Sequence, residues 1–243
     1  MAKLYVGDSQ GAPAIVKVEE VEKIKFGVSV DTIVGNVDAN GVLQAPTTKT
    51  ELNFTGVREI GNGALSCTFY NNLNITNVDL SSVQTIDTYG LSYAFYNCLG
   101  IKSVDLSSVQ TIGAYGLYWA LHGCIDITSI DFSSLTTIGI YGLDSAFDSC
   151  TSITSIDFSS LQSVESKGLN YAFYGCISLT TISFPSLTSV TADSFGGYLA
   201  YTFAGCTNLT EIHFRADMQA TIETLVGYSS KFGATNATIY FDL

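Results

Sequence analysis

A repeat of constant length dominates the middle of this chain. Four consecutive segments align without a gap at a period of 26 residues. They are VDLSSVQTIDTYGLSYAFYNCLGIKS (78–103), VDLSSVQTIGAYGLYWALHGCIDITS (104–129), IDFSSLTTIGIYGLDSAFDSCTSITS (130–155) and IDFSSLQSVESKGLNYAFYGCISLTT (156–181). A divergent copy precedes them at 52–77, and a 30-residue copy with a four-residue insertion follows at 182–211. A fixed period of this length is typical of a solenoid, in which each coil buries its apolar face by stacking on its neighbours.

Apolar residues change their spacing within one coil. Ile130 and Phe132 alternate with polar residues, which predicts one short strand per coil and therefore a parallel sheet. In the second half of the coil, YGLxxAFxxC, apolar residues fall at i, i+3, i+4 and i+7, the spacing of a short helix. In one copy these residues are Leu143, Ala146, Phe147 and Cys150.

The segments AFDSCTSITSI (146–156) and AFYGCISLTTI (172–182) resemble the BspA-like class of leucine-rich repeats, whose consensus has a similar AF-x-x-C-x-x-L-x-x-I core. The resemblance covers residues 52–214. It implies an α/β fold, a right-handed leucine-rich-repeat solenoid of about six coils with short helices on the convex side. The usual unit of that family is slightly shorter, which implies a wider convex side here. Members resemble surface adhesins and cell-binding proteins, and that role is expected here only by analogy.

The repeat register is lost at the carboxyl end, in residues 215–243. Solenoids need polar caps on their terminal coils. The apolar pattern predicts a short helix in 220–226 and a closing strand in 237–241. We therefore interpret residues 215–243 as a carboxy-terminal cap.

Residues 1–51 also lie outside the repeat and are predicted to form an amino-terminal β module or cap. Segments 4–18 and 26–46 read as short alternating strands separated by glycine turns. The phrases KLYVGDSQGAPAIVK and FGVSVDTIVGNV also resemble short segments of tail-associated proteins of phages and prophages. That resemblance implies a virion component.

Charge and hydropathy exclude several classes of partner. The formal net charge of −12 disfavours nucleic acid and anionic membrane surfaces. No apolar run approaches the length of a membrane span, and the amino terminus lacks the apolar core of a signal peptide. We expect a protein made in the cytoplasm that acts in a virion or at a cell surface, unless a leader has been removed.

Cysteine and histidine do not form a pattern typical of catalysis. Five cysteines occupy one equivalent position per coil, with Asn72 in the first: Cys98, Cys124, Cys150, Cys176 and Cys206. This pattern predicts a reduced, buried ladder rather than disulfides or a metal site. The two histidines, His122 and His213, lie on different faces of different coils, so we predict no nucleophilic triad and no enzyme.

Aspartates recur between the two inward positions of the predicted strands. They are Asp79, Asp105, Asp131 and Asp157. Neighbouring parallel strands lie about 4.8 Å apart, so this acidic strip crowds like charges. It is a candidate surface for a basic partner or Ca²⁺. Alternatively, the carboxylates are solvated and bond to Ser81, Ser107, Ser133 and Ser159, two residues on.

Aromatic residues form a second ladder. Tyr89, Tyr115 and Tyr141 precede the turn, and Tyr93, Trp119, Tyr171 and Tyr201 lie on the predicted helical side. Such rings stack on sugars or anchor interfaces, or else they pack between coils. Trp119, Tyr93 and Tyr171 are our candidate binding residues, together with the acidic strip.

The sequence predicts a non-enzymatic recognition, adhesion or structural protein that binds protein or glycan, as part of a phage tail or other virion, where it would form a homo-oligomer. The alternative is a bacterial cell-surface adhesin of the BspA-like type with its leader removed. A carbohydrate-active enzyme would need a carboxylate pair in a cleft. Asp105 and Asp131 meet the distance requirement, but a flat sheet face offers no pocket.

Overall fold

A computed structural model describes residues 4–7, 13–16, 51–54, 56–197 and 201–243. At the amino terminus, strands β1 (Leu4–Gly7) and β2 (Pro13–Val16) pair antiparallel. The strands predicted within 26–46 lie outside the described residues.

Each coil begins with a strand on one side of the solenoid, the first sheet face. These strands are β3 (Glu51–Asn53), β5 (Asn77–Asp79), β7 (Ser103–Asp105), β9 (Ser129–Asp131), β11 (Ser155–Asp157), β13 (Thr181–Phe184) and β15 (Glu211–Phe214). Equivalent residues pair in parallel, as in Val78 with Val104 and Ile130 with Ile156. The predicted parallel-strand solenoid is confirmed, and β15 opens a seventh turn beyond the six expected.

A second strand follows in each of the first six coils and forms the second sheet face. These strands are β4 (Glu59–Ile60), β6 (Thr85–Ile86), β8 (Thr111–Ile112), β10 (Thr137–Ile138), β12 (Ser163–Val164) and β14 (Ser189–Val190). They form one continuous parallel sheet of six strands. The sequence pattern predicted only one strand per coil, because a strand of two residues is too short to show alternation.

The third side of each coil, the turn face, is built from turns. In the described coils, the helix predicted around Leu143 to Cys150 is therefore absent. Alternate amides bond differently there: Ala146 N–H donates to Leu143 O within the coil, whereas Ser145 N–H donates to Asn170 O of the next. A helix would use all of these donors internally.

Coil spacing explains why turns replace helices. The rings of Tyr89 and Tyr115 are 4.7 Å apart, and those of Tyr115 and Tyr141 are 4.8 Å apart, on successive coils of the turn face. Packed helices need about 8–10 Å between their axes. One helix per coil does not fit this spacing, but a flat ribbon of turns bonded from coil to coil does.

The core is a set of side-chain ladders that run along the solenoid. Phe132 stacks on Phe158 and Phe158 on Phe184, both at 5.5 Å, and all three are fully buried. Each cysteine of the predicted ladder lies beneath the turn face and donates its thiol to a carbonyl of the preceding coil. The Cys150 thiol, for example, lies 3.1 Å from Leu121 O. All six cysteines are free.

The carboxy-terminal segment covers the last coil. It contains short 3-10 helices at Ala216–Met218 and Tyr228–Gly233, helix α1 (Gln219–Ile222) and strand β16 (Thr238–Phe241). Strand β16 pairs in parallel with β15 and extends the first sheet face.

Candidate functional site

The acidic strip lies on the first sheet face, with its aspartates in register. Asp79 lies beside Asp105, and Asp131 beside Asp157. Each carboxylate accepts a hydrogen bond from the backbone N–H two residues on; for Asp131 the distance to Ser133 N is 2.9 Å. The donors for the others are Ser81, Ser107 and Ser159 at 2.8 to 3.0 Å. The strip thus closes the corner after each strand, in the manner of an Asx turn.

Metal binding requires several ligands that converge on one point. Over the described ranges, no group of three or more histidine, cysteine, aspartate or glutamate side chains is placed to hold a metal ion. The strip contributes one carboxylate per coil along a flat row, with one oxygen of each already bonded to backbone.

Aromatic side chains form columns along the turn face. The Tyr115 column contains Tyr89, Tyr115 and Tyr141, and Lys167 continues it. Tyr89, Tyr115 and Tyr141 stack with interplanar angles of 9°, and the Lys167 ammonium donates to the Tyr141 hydroxyl at 2.8 Å. The Lys167 Nζ also lies 5.1 Å from the centre of the Tyr141 ring, so the column ends on a cation in contact with an aromatic side chain.

Two further columns run beside it. The Trp119 column contains Tyr93, Trp119, Ser145, Tyr171 and Tyr201, and the Tyr96 column contains Tyr70, Tyr96, His122, Asp148 and Tyr174. Tyr93 stacks on Trp119 at 6.2 Å, and Tyr96 on His122 at 4.6 Å. Most rings on this face therefore stack along the solenoid as well as facing outward.

Both columns are interrupted at the same coil, residues 130–155. Ser145 and Asp148 stand where the neighbouring coils carry large rings, and Asp144 stands beside them at the position of Tyr118. All three are buried, at 2%, 8% and 6% exposure. A row of short polar side chains thus lies lower than the aromatic side chains on either side.

The interruption creates a pocket of about 600 Å³ that is open to solvent on one side. Its walls are Tyr118 and Trp119 from one direction and Tyr171, Tyr174 and Tyr201 from the other. Its floor is Asp144, Ser145, Asp148 and Asn170. This volume is in the range of small-ligand pockets. We call this feature the aromatic slot.

Hydrogen bonds hold the floor of the aromatic slot in place. Asp144 accepts from the Ser145 hydroxyl at 2.8 Å and from the Asn170 amide at 3.0 Å. Burial raises the pKa of the Asp144 carboxyl, although these hydrogen bonds oppose the shift. Asp148 accepts from the Ser149 hydroxyl at 2.7 Å and lies 3.5 Å from His122 Nδ1.

The structure brings Trp119 and Tyr171 together as opposite walls of the aromatic slot. Tyr93 lies one coil outside it, and the acidic strip lies on a different side of the solenoid. The floor residues, Tyr118 and Tyr174 were missed from the sequence. A comparison of YGLYWALHGC with YGLDSAFDSC, position by position, contains the signal, because only the second copy loses all three large side chains.

The repeat identifies the family of the chain. The BspA type leucine rich repeat region matches residues 65–199, in six copies. The chain belongs to this family. BspA-type members are repeat-based surface or binding proteins, and leucine-rich repeats in general mediate protein interactions.

Solved structures also match. One is a leucine-rich repeat protein from Bacteroides ovatus ATCC 8483, with 18% identity, a TM-score of 0.27 and coverage of 68% of this chain. The chain spans 55% of the length of that protein. No curated protein matches the chain. In the part of the chain that the structure describes, none of the helices is long and apolar enough to cross a bilayer.

Proposed function

We propose that this BspA-type protein is a non-enzymatic recognition protein whose turn face holds the partner. The observation that carries the proposal is the backbone conformation of the aromatic columns. Tyr93, Trp119 and Tyr171 all have positive φ, at 54°, 55° and 50°. Bulky residues rarely adopt this conformation, which costs about 1–2 kcal/mol per residue, and such strain clusters at functional sites.

The position four residues later in the same turns gives a comparison. There the positive φ is met by glycine in three coils, Gly123, Gly175 and Gly205, at 73°, 69° and 79°. The other three coils carry Asn71, Asn97 and Ser149 there, at 57°, 56° and 61°, so this position takes glycine or a small polar side chain and no ring. Retention of rings in the Trp119 column supports a role for those rings beyond closing the turn.

Charge restricts the partner. The chain has 22 acidic and 10 basic residues, so its field repels polyanions and favours neutral or basic ligands. A protein or a neutral glycan at a cell surface fits this field. Several contacts along one solenoid would add as avidity rather than as one tight site.

A labelled protein should therefore bind a cell surface more tightly as a tetramer on streptavidin than as a monomer, which flow cytometry would measure. Two double variants distinguish the faces. Tyr96→Ala with Tyr115→Ala removes rings from the turn face, and Asp105→Asn with Asp131→Asn neutralises the acidic strip. Loss of binding with the second variant alone would contradict the proposal.

Two settings are proposed for this role. A phage tail or virion component is supported by the resemblance of the amino-terminal phrases, and a bacterial surface adhesin by the family. Light scattering of the native protein separates them: a stable trimer or larger assembly favours the virion component, and a monomer favours the adhesin. Hydrolysis of glycans by the purified protein would contradict the non-enzymatic proposal in either setting.

A further inference from the structure

Resting on the proposed function, we infer that the aromatic slot is a glycan-binding site that holds one neutral pyranose ring between Trp119 and Tyr171. The interruption at Ser145 leaves one place empty in a column of stacked rings. The occupant must therefore have two apolar faces, to cover both walls, and a polar edge, to meet the floor.

The width of the aromatic slot corresponds to one ring. In the Trp119 column the rings on adjacent coils lie 5.0 to 6.2 Å apart, so Trp119 and Tyr171, two coils apart, are separated by roughly 10 Å. In the Tyr115 column a single ring, Tyr115, fills the same two-coil interval, 4.7 and 4.8 Å from its neighbours. A pyranose is thicker than a flat ring and presents C–H groups on both faces, so it fills this interval and contacts both walls.

The floor offers hydrogen-bond partners for a row of hydroxyls. Asn170 supplies an amide, and Asp144 and Asp148 supply carboxylates that retain lone pairs after their bonds to Ser145 and Ser149. A carboxylate accepts from one sugar hydroxyl while an amide donates to its neighbour. The polar groups thus lie at the floor, and the aromatic rings form the walls.

The same carboxylates restrict the sugar. Two aspartates in the floor and a net charge of −12 disfavour uronic, sulfated or sialylated rings. Neutral hexoses and N-acetylhexosamines remain. The pocket volume of about 600 Å³ also accommodates more than one ring, so an oligosaccharide is a better probe than a monosaccharide.

Trp119 is the single tryptophan of the chain, so its fluorescence reports on the aromatic slot directly. We would titrate the full chain with maltotetraose, cellotetraose, mannotetraose and tetra-N-acetylchitotetraose, following emission intensity and wavelength, with calorimetry in parallel. At least one of them should change the emission saturably. Tyr171→Ala should weaken that binding about tenfold or more, because it removes one wall.

Ser145→Tyr is the sharpest variant. Ser145 already has a φ of 54°, the conformation in which the same column carries tyrosine and tryptophan, so a tyrosine there completes the stack without a new backbone strain. It should abolish binding while the thermal midpoint stays equal to or above that of the wild type. Tyr89→Ala is the matched control for sugar binding, since it removes a turn-face ring that does not line the aromatic slot, and its affinity for the sugar should equal that of the wild type.

Each result decides. Saturable binding lost in Ser145→Tyr and kept in Tyr89→Ala supports the inference. Failure of all four sugars overturns it, as does binding that Ser145→Tyr leaves intact. Tetramethylammonium binding without sugar binding would instead make the aromatic slot a cation cage. Cell binding by a protein that binds none of the four sugars would leave the proposed function standing while the glycan site falls, so the two failures are distinguishable.

Discussion

The cysteine ladder predicts that the native protein reacts with thiol reagents at one cysteine only. The five ladder cysteines are buried, at 0% to 4% exposure, whereas Cys67 lies in a different part of its coil and is partly exposed. Each ladder thiol donates to a carbonyl of the preceding coil. Cys67 should therefore be the one accessible thiol.

The expected difference in rate follows from the pKa values. Burial raises the pKa of Cys98 and of Cys206 to about 12. At pH 8 an ordinary thiol, with a pKa of about 8.5, is roughly a quarter thiolate, whereas a thiol with this raised pKa is about one part in ten thousand. The thiolate is the nucleophile, and its intrinsic nucleophilicity rises with its pKa and cancels part of this difference, so a ladder cysteine should react about 50-fold more slowly, before shielding is considered.

The assay is a titration of the native protein with Ellman's reagent at pH 8, repeated in guanidinium chloride. One thiol should react quickly in the native state, and all six should react after unfolding. Cys67→Ser is the control and should remove the fast phase alone. Two or more fast thiols in the native protein, or fewer than six after unfolding without reductant, would refute the ladder.

Three further predictions concern stability and fold. Phe158→Ala removes the middle ring of the buried phenylalanine stack and should lower the free energy of unfolding in urea by about 3–5 kcal/mol, whereas Ile140→Ala at an exposed site should change it little. Burial lowers the pKa of His213, but hydrogen bonds to Asp242 and Glu211 outweigh it and the net shift is upward. The stabilisation from this cluster should therefore be complete below about pH 6.5 and be lost as pH rises through the raised pKa. Thermal midpoints should show that loss in the wild type and lack it in His213→Gln, and a midpoint that rises with pH would contradict the sign. Far-ultraviolet circular dichroism should lack a strong helical minimum at about 222 nm, since the turn face has no room for helices, and a strongly helical spectrum would contradict the turn ribbon.

The family and the solenoid could be predicted from the sequence because both are periodic. The alternation around Ile130 and Phe132 identified the first sheet face, and the equivalent cysteines indicated a buried ladder. The helix was the wrong prediction. The spacing of Leu143, Ala146, Phe147 and Cys150 is compatible with a helix and also with a ribbon of turns that recurs every four residues. Only the hydrogen bonds between coils distinguish the two structures.

The candidate site also contains some residues that the sequence pattern could identify and others that it could not. Trp119 and Tyr171 could be chosen from the sequence because aromatic residues recur at that position. The floor could not be chosen by that rule, since Asp144, Ser145 and Asp148 are departures from the repeat rather than members of it.

The sequence by itself determined the period, the family and the identity of the residues that face inward, because burial of one apolar set per coil is a local and repeated requirement. The tertiary structure decided the rest. The spacing between coils replaced helices with turns, and it set the distance between the rings on either side of Ser145. A missing side chain becomes a pocket only when its neighbours along the solenoid are known, and those neighbours lie a full coil away in the chain.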